Sequence, residues 1–317
     1  MKAAVVTSFG EPPRYDDIPE PTVPGGAGGH EMVVRVLAAG LHPRVRSLAE
    51  RAHGPSEGVL PLVPGIDGVG VGSDGQRRYF VQEGNRPGTM AEQTVIDTWH
   101  SVRLPPACDP VKIAAGISPA MSSWLALRHR ADFRAGQDIL ILGAAGRVGQ
   151  MAVEVARVFG AGKVVAAGRD ASQLAGLAAA GAAETVSLDA LDLIVEAAAD
   201  VDIVLDYMWG ELAVTAMTLM AAARGDRAKP LSWVSVGSAA GPDAPIPSAA
   251  LRGSALRITG CGQGAVAPGQ VLAEIPEIAR CLSSGVLSVD AQAVPLADVE
   301  RAWTESAGTT RSIVLVP

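Results

Sequence analysis

The chain has 317 residues, 48% of them hydrophobic and 19% charged, with a formal net charge of −7. That length exceeds a comfortable single core and implies two domains, while the composition excludes a disordered chain. The acidic balance argues against a nucleic-acid binder, and no apolar run reaches the roughly 20 residues of a membrane helix.

The opening "MKAAVVTSFGEPPRYDD" lacks the apolar core and cleavage site of a signal peptide and reads as a strand entering a turn. Through residue 118 the chain is strand-like and turn-rich. "KAAVVTSF", "EMVVRVLAAG", "GVGVG", "RRYFVQ" and "AEQTVI" are short β-type runs with Gly and Pro between them. From Pro119 helix and strand alternate: helix "AMSSWLALRHRADF", strand "DILIL", helix "RVGQMAVEVARVFG", strand "KVVAAG". The series continues through strands "ETVSL", "VDIVLDY", "LSWVSVG" and "ALRITGCG" with helices between most of them. This succession predicts a doubly wound parallel sheet. The tail returns to helix "GQVLAEIPEIARCLSSG", strand "AQAVPL", helix "ADVERAWTESA" and strand "RSIVLVP", too little for a core of its own. The predicted division is therefore 1–118 and 263–317 as one discontinuous β-rich domain, with 119–262 as an α/β domain.

Three separated cysteines, Cys108, Cys261 and Cys281, form neither a disulfide framework nor a zinc pair, and read as small buried residues in a reducing cytoplasm. Arginines gather at Arg44, Arg46 and Arg51 and at Arg128, Arg130 and Arg134, which reads as solvated helix surface.

The strongest motif is Ala144-Ala145-Gly146-Arg147-Val148-Gly149, between an apolar strand and a helix. It matches the dinucleotide fingerprint with alanine in the first glycine position. Small residues allow a tight turn and close backbone approach to a pyrophosphate at the helix N-terminus, and Gly149 allows close helix–strand packing. No Gly-Lys-Ser/Thr follows, so a P-loop is disfavoured. Arg147 is either a further cationic contact or an outward-facing helix residue. Twenty residues after Gly149, where NAD sites place a carboxylate, stands Arg169, preceded by Gly168. A planar cation there suits a 2′-phosphate, so the cofactor is read as NADPH. Asp170 is an alternative ribose ligand, but it better suits the cap of the following helix.

These motifs, together with "VLAAGLHP", "PLVPGIDGVGVG", "GTMAEQTVI", "MSSWLAL" and the closing "RSIVLVP", resemble the medium-chain dehydrogenase/reductase superfamily in its zinc-free quinone oxidoreductase (ζ-crystallin-like) branch. The resemblance implies a Rossmann domain inserted in a discontinuous GroES-like catalytic domain. It implies that Ser122, Gly237, Ser238, Gly262, Gln263 and Arg311 lie on the cofactor. It places His42 where the branch commonly has an asparagine, near the nicotinamide. Zinc-dependent relatives carry ligands at positions resembling His42 and Ile66-Asp67. A catalytic zinc needs three ligands and no third is obvious, since His100 and His129 read as surface or loop residues, so the site is read as metal-free.

Such a site suits hydride delivery to an electron-poor carbon of a small electrophile, a quinone or an enone, with pre-placed donors for the developing oxyanion. Candidate donors are His42, Tyr207 in "VLDYMWG" and the backbone N–H groups of "VGSAAG"; His42 is also a candidate proton donor. Trp209 either walls the nicotinamide pocket or packs. The competing readings are a zinc-type alcohol dehydrogenase or carbonyl reductase, and a non-enzymatic NADPH-binding regulator. By analogy with the branch, the protein is expected to be a cytoplasmic homodimer, pairing through "ALRITGCG".

Overall fold

The structure, a computed structural model, describes residues 1–23, 29–49, 60–82, 86–309 and 311–317. Most of "ERAHGPSEGVLP", expected to border the cleft, and Arg51 with it lie outside the described residues. The chain divides into two units, Met1–Ser118 with Leu272–Pro317, and Pro119–Val271.

In the first unit the apolar alternation of "EMVVRVLAAGL" produces the long strand β3 (Glu31–Leu41), which organises the rest. Before it β1 (Lys2–Val5) and β2 (Arg14–Asp17) pair antiparallel. After it come helix α1 (Pro43–Ala49) and strands β4 (Asp67–Gly72), β5 (Arg77–Val81), β6 (Gln93–Asp97) and β7 (Ser101–Arg103). The mainly antiparallel sheet is completed from the tail by β14 (Ala291–Pro295) and β15 (Ser312–Val316), in the order β14-β15-β3-β4-β5-β7 with β6 also on β3. Tail and N-terminal residues share one core: Val36, Leu41, Phe80 and Ile96 pack with Val299, Trp303 and Leu315. The tail strands and α9 thus belong to the first unit.

The second unit is a six-stranded sheet, parallel throughout. Its strands are β8 (Ile139–Leu142), β9 (Val164–Gly168), β10 (Glu184–Ser187), β11 (Ile203–Asp206), β12 (Leu231–Ser235) and β13 (Leu256–Gly260). Their order is β10-β9-β8-β11-β12-β13, the doubly wound arrangement with its reversal between β8 and β11. All four side chains of β8 are fully buried, as a central parallel strand covered on both faces requires. Helices α3 (Arg147–Val158), α4 (Ala171–Ala180), α5 (Leu191–Ala198), α6 (Gly210–Ala223) and α7 (Ser248–Arg252) lie between the strands.

Helix α2 (Pro110–Leu125) carries the chain from the first unit into the second, and α8 (Pro268–Ser283) carries it back. The sequence reading began α2 too late, at the Pro119 boundary. Its start is set by Asp109, whose Oδ1 accepts from Val111 N (2.9 Å) and Lys112 N (3.3 Å), with Pro110 in the first turn. Past Leu125 the helix widens into a π-helical turn, Ala126–Arg130, which contains His129. The last helix, α9 (Val299–Glu305), lies in the tail.

The arginine clusters are not plain solvated surface. Arg46 Nη1 donates to Trp303 O and to Ser306 Oγ (2.8 Å), tying α1 to the end of α9. Arg130 Nε donates to Gly260 O (2.8 Å), and the Arg128 guanidinium lies over the rings of Trp124 and Phe159. All three cysteines are free and buried. No helix among the described residues is long and apolar enough to cross a membrane.

Candidate active site

The second unit brings most of the candidate residues to one edge. Ala145 and Gly146 follow β8, Gly168 and Arg169 end β9, and Tyr207 follows β11. Gly237 and Ser238 follow β12, and Gly262 and Gln263 follow β13. Because these strands are parallel, all of these positions stand at the C-terminal ends of the sheet, where open α/β sheets bind ligands.

The phosphate loop is built by close approach. A Cβ on Gly149 would come 2.6 Å from Ala144 Cα and still nearer the Gly143 carbonyl, so only glycine lets α3 start this close to β8. A Cβ on Gly168 would meet Ala145 Cβ at 2.7 Å, so β9 must end in glycine for the loop to fold over it. Gly146 caps α3 without a side-chain hydrogen bond, and Arg147, Val148 and Gly149 form the helix's first turn. Gln150 Nε2 braces the loop by donating to Ala145 O (3.0 Å) and to Gln173 Oε1 (2.7 Å). Arg147 is half-buried rather than outward, and burial pushes its guanidinium pKa down.

At the end of β9 the two adjacent charges separate in role. Asp170 caps α4: its Oδ1 accepts from Ser172 Oγ (2.6 Å), Ser172 N (2.9 Å) and Gln173 N (3.1 Å), which holds its carboxyl below the usual range. Arg169 is exposed, and its Nε lies 3.5 Å from Asp189 Oδ1.

Beyond β11 the chain makes a constrained turn. Asp206, fully buried, accepts through Oδ1 from Met208 N (2.8 Å) and Trp209 N (2.9 Å), and through Oδ2 from Trp233 Nε1 (2.9 Å). Burial raises its carboxyl pKa, against these hydrogen bonds. The clamp holds Trp209 at φ 50°, a conformation that costs a non-glycine residue about 1–3 kcal/mol. Trp209 packs partly against the sheet core and partly lines a 410 Å³ cleft with Pro242, Asp243, Ala244 and Pro245. The N–H groups of Val236 and Gly237 bond to Asp206 O, and those of Ala239 and Ala240 to Tyr207 O and Met208 O. These members of "VGSAAG" are therefore spent on the turn and are not free oxyanion donors, contrary to the expectation from sequence. Tyr207 Oη lies 3.3 Å from Ser122 Oγ, which itself donates to Pro119 O (3.0 Å). Burial, opposed by hydrogen bonds from Ser122 and Ser123, pushes the Tyr207 hydroxyl up to about 12. It thus stays protonated near neutrality and can offer a hydrogen bond, not a labile proton.

His42 and Arg311 belong to the first unit. Arg311 precedes β15 and its Nε lies 3.1 Å from Asp290 Oδ2 at an exposed site. His42 follows β3 and begins α1, where Val45 N bonds to His42 O (2.9 Å). Its Nε2 is 3.2 Å from Oδ1 of buried Asp67, and Asp67 Oδ2 accepts from Tyr79 Oη at 2.6 Å. Sequence reasoning noted Asp67 only as a possible ligand and missed Tyr79 altogether. The partners are 25 and 12 residues apart in sequence, and only the strand register unites them. Among the described residues no group of three or more His, Cys, Asp or Glu side chains is placed to hold a metal ion.

No protein-family model matches the chain. Similarity to individual proteins is extensive. Over the whole of both chains it is 27% identical to a probable NADPH-dependent quinone reductase, tdiC, of Emericella nidulans. It is 31% identical, over 43% of its length and 39% of the relative's, to an NADPH-dependent alkenal/one oxidoreductase of Arabidopsis thaliana. The quinone oxidoreductase of Thermus thermophilus, also solved in complex with NADPH, superposes over 100% of both chains with TM-score 0.82 and 28% identity. Sequence and fold thus support the likeness to the quinone oxidoreductase (ζ-crystallin-like) branch of the medium-chain dehydrogenase/reductase superfamily.

Proposed function

We propose that the chain is an NADPH-dependent reductase that transfers a hydride to a quinone or to the double bond of an α,β-unsaturated carbonyl compound. The observation that carries this reading is the parallel edge of the second unit, where Gly149 and Gly168 let α3 and its loop pack closely on β8 and β9 and Arg169 follows. The names of the Emericella, Arabidopsis and Thermus proteins support it from outside the chain.

The residues fit the cofactor. The N-terminus of α3 receives the pyrophosphate, with Ala145, Gly146, Arg147, Val148 and Gly149 around it. Arg169 exchanges Asp189 for the 2′-phosphate, a stronger acceptor for a guanidinium. Ser122, Gly168, Gly237, Ser238, Gly262, Gln263 and Arg311 complete the proposed binding set. Bound NADPH supplies the hydride. Tyr207 holds a neutral hydroxyl for hydrogen bonding, and His42 is the proton donor. β13 is an outer strand of its sheet, which supports pairing of two copies into a homodimer. We place the protein in the cytoplasm because its three cysteines are all free.

The test is stopped-flow oxidation of NADPH and of NADH against a panel of quinones, enones, aldehydes and ketones. Turnover of quinones or enones with preference for NADPH is expected. Turnover confined to aldehydes or ketones would overturn the reading.

A further inference from the structure

The His42 corner is assembled by register. β3 and β4 run antiparallel with Ala39 opposite Gly68, and the next step sets Gly40 beside Asp67. Side chains alternate along a strand, so Gly40 and His42 project to the same side as Asp67 and Val69. Tyr79 on β5 stands opposite Val69 and is therefore the diagonal neighbour of Asp67 on that same face. Between His42 and Asp67 there is no side chain, because the intervening residue is glycine. A Cβ on Gly40 would lie 3.4 Å from Asp67 Oδ1, 3.5 Å from His42 Cδ2 and 2.9 Å from Ala114 O. Only the Ala114 contact is too close for a side chain at Gly40; the other two are ordinary contact distances.

The resulting chain of contacts has a direction. Tyr79 Oη donates to Asp67 Oδ2, leaving Oδ1 to accept from His42 Nε2. Thr89 Oγ1 donates to Asp67 O at 2.8 Å and fixes the main chain behind it. Asp67 and Tyr79 are almost wholly buried, whereas the His42 side chain keeps 19% of its surface exposed. Burial and the adjacent carboxylate push the Tyr79 phenol well above its usual range, so it remains a donor. A carboxylate on Nε2 selects the Nε2–H tautomer and leaves Nδ1 as the nitrogen that exchanges a proton.

Resting on the reductase reading above, we propose that Asp67 and Tyr79 are positioning residues that fix His42 as a proton donor through Nδ1. Hydride forms the new C–H bond at the β-carbon of an enone, and the alkene electron pair moves to the α-carbon and carbonyl oxygen as an enolate. The Nδ1–H bond of the His42 imidazolium then breaks and its proton passes to the enolate, giving the saturated ketone. The neutral imidazole, held as the Nε2–H tautomer by Asp67, regains its proton from water. One hydride and one proton are consumed per double bond.

The experiment has two readouts on wild type, Asp67→Asn, Tyr79→Phe and His42→Asn. The first is the tautomer of His42, read by ¹⁵N NMR of histidine-labelled protein. Wild type is expected to show Nε2–H, Tyr79→Phe to weaken that preference and Asp67→Asn to abolish it. The second is kcat in H₂O and D₂O with protiated and 4-deuterated NADPH. His42→Asn and Asp67→Asn are expected to lower kcat at least about tenfold, with KM for both substrates within about twofold. The solvent isotope effect should rise as the hydride isotope effect falls. Tyr79→Phe, which keeps the ring and its packing, should show the same change at smaller size. An Nδ1–H tautomer in wild type overturns the proposal. So do unchanged kcat and isotope effects in both Asp67→Asn and Tyr79→Phe. A wild-type protein that oxidises NADPH with no quinone or enone overturns the reductase reading instead, and the NMR result still decides whether Asp67 and Tyr79 orient His42.

Discussion

The parallel edge of the second unit and the His42 corner of the first are built by opposite means. The edge is made of backbone: glycines that admit close approach, a helix start without a capping side chain, and a turn clamped by buried Asp206. The corner is made of side chains: an imidazole, a carboxylate and a phenol in contact. Backbone recognition suits a constant ligand such as a cofactor phosphate, whereas a side-chain relay can be changed residue by residue.

The sharpest break of that contrast is on the backbone side. Gly149→Ala forces a methyl into the Gly143–Ala144 main chain and should cost about 1–3 kcal/mol of stability. Denaturant unfolding should show it, together with loss of NADPH binding by titration. A variant with unchanged stability and binding would mean that the close approach is not needed. Next in size, Arg169→Ala removes one charge-assisted contact that solvent screens. It should weaken NADPH about tenfold and leave NADH unchanged. Equal losses for both cofactors would remove Arg169 from its assigned role. The smallest effect is expected at Asp189, whose exposed pair with Arg169 would compete with a 2′-phosphate in the proposed role. Asp189→Asn should tighten NADPH by no more than about threefold, more at low salt than at high.

The same contrast explains what the sequence could and could not tell. The αβ alternation and the Ala144–Gly149 loop are local in the chain, so period and spacing suffice to find them. The role of Asp170 was legible for the same reason, because a cap acts two or three residues away. Asp109-Pro110 was equally local and marked the start of α2, but the Pro119 inside that helix drew attention to the wrong end. The His42–Asp67–Tyr79 chain was not legible. Its members lie on or beside three strands, and no single-strand pattern reveals which diagonal neighbours meet. The spent N–H groups of "VGSAAG" were hidden likewise, since their acceptors lie on the turn after β11. Arg46 looked like a surface residue until the tail helix supplied its acceptors.

The most direct measurement of the central claim is the position of the label when NADPH dideuterated at C4 reduces an enone in a single turnover. Mass spectrometry and NMR of the product should find deuterium on the former β-carbon of a saturated ketone. Deuterium on a carbinol carbon, with the alkene intact, would show carbonyl reduction and contradict the account.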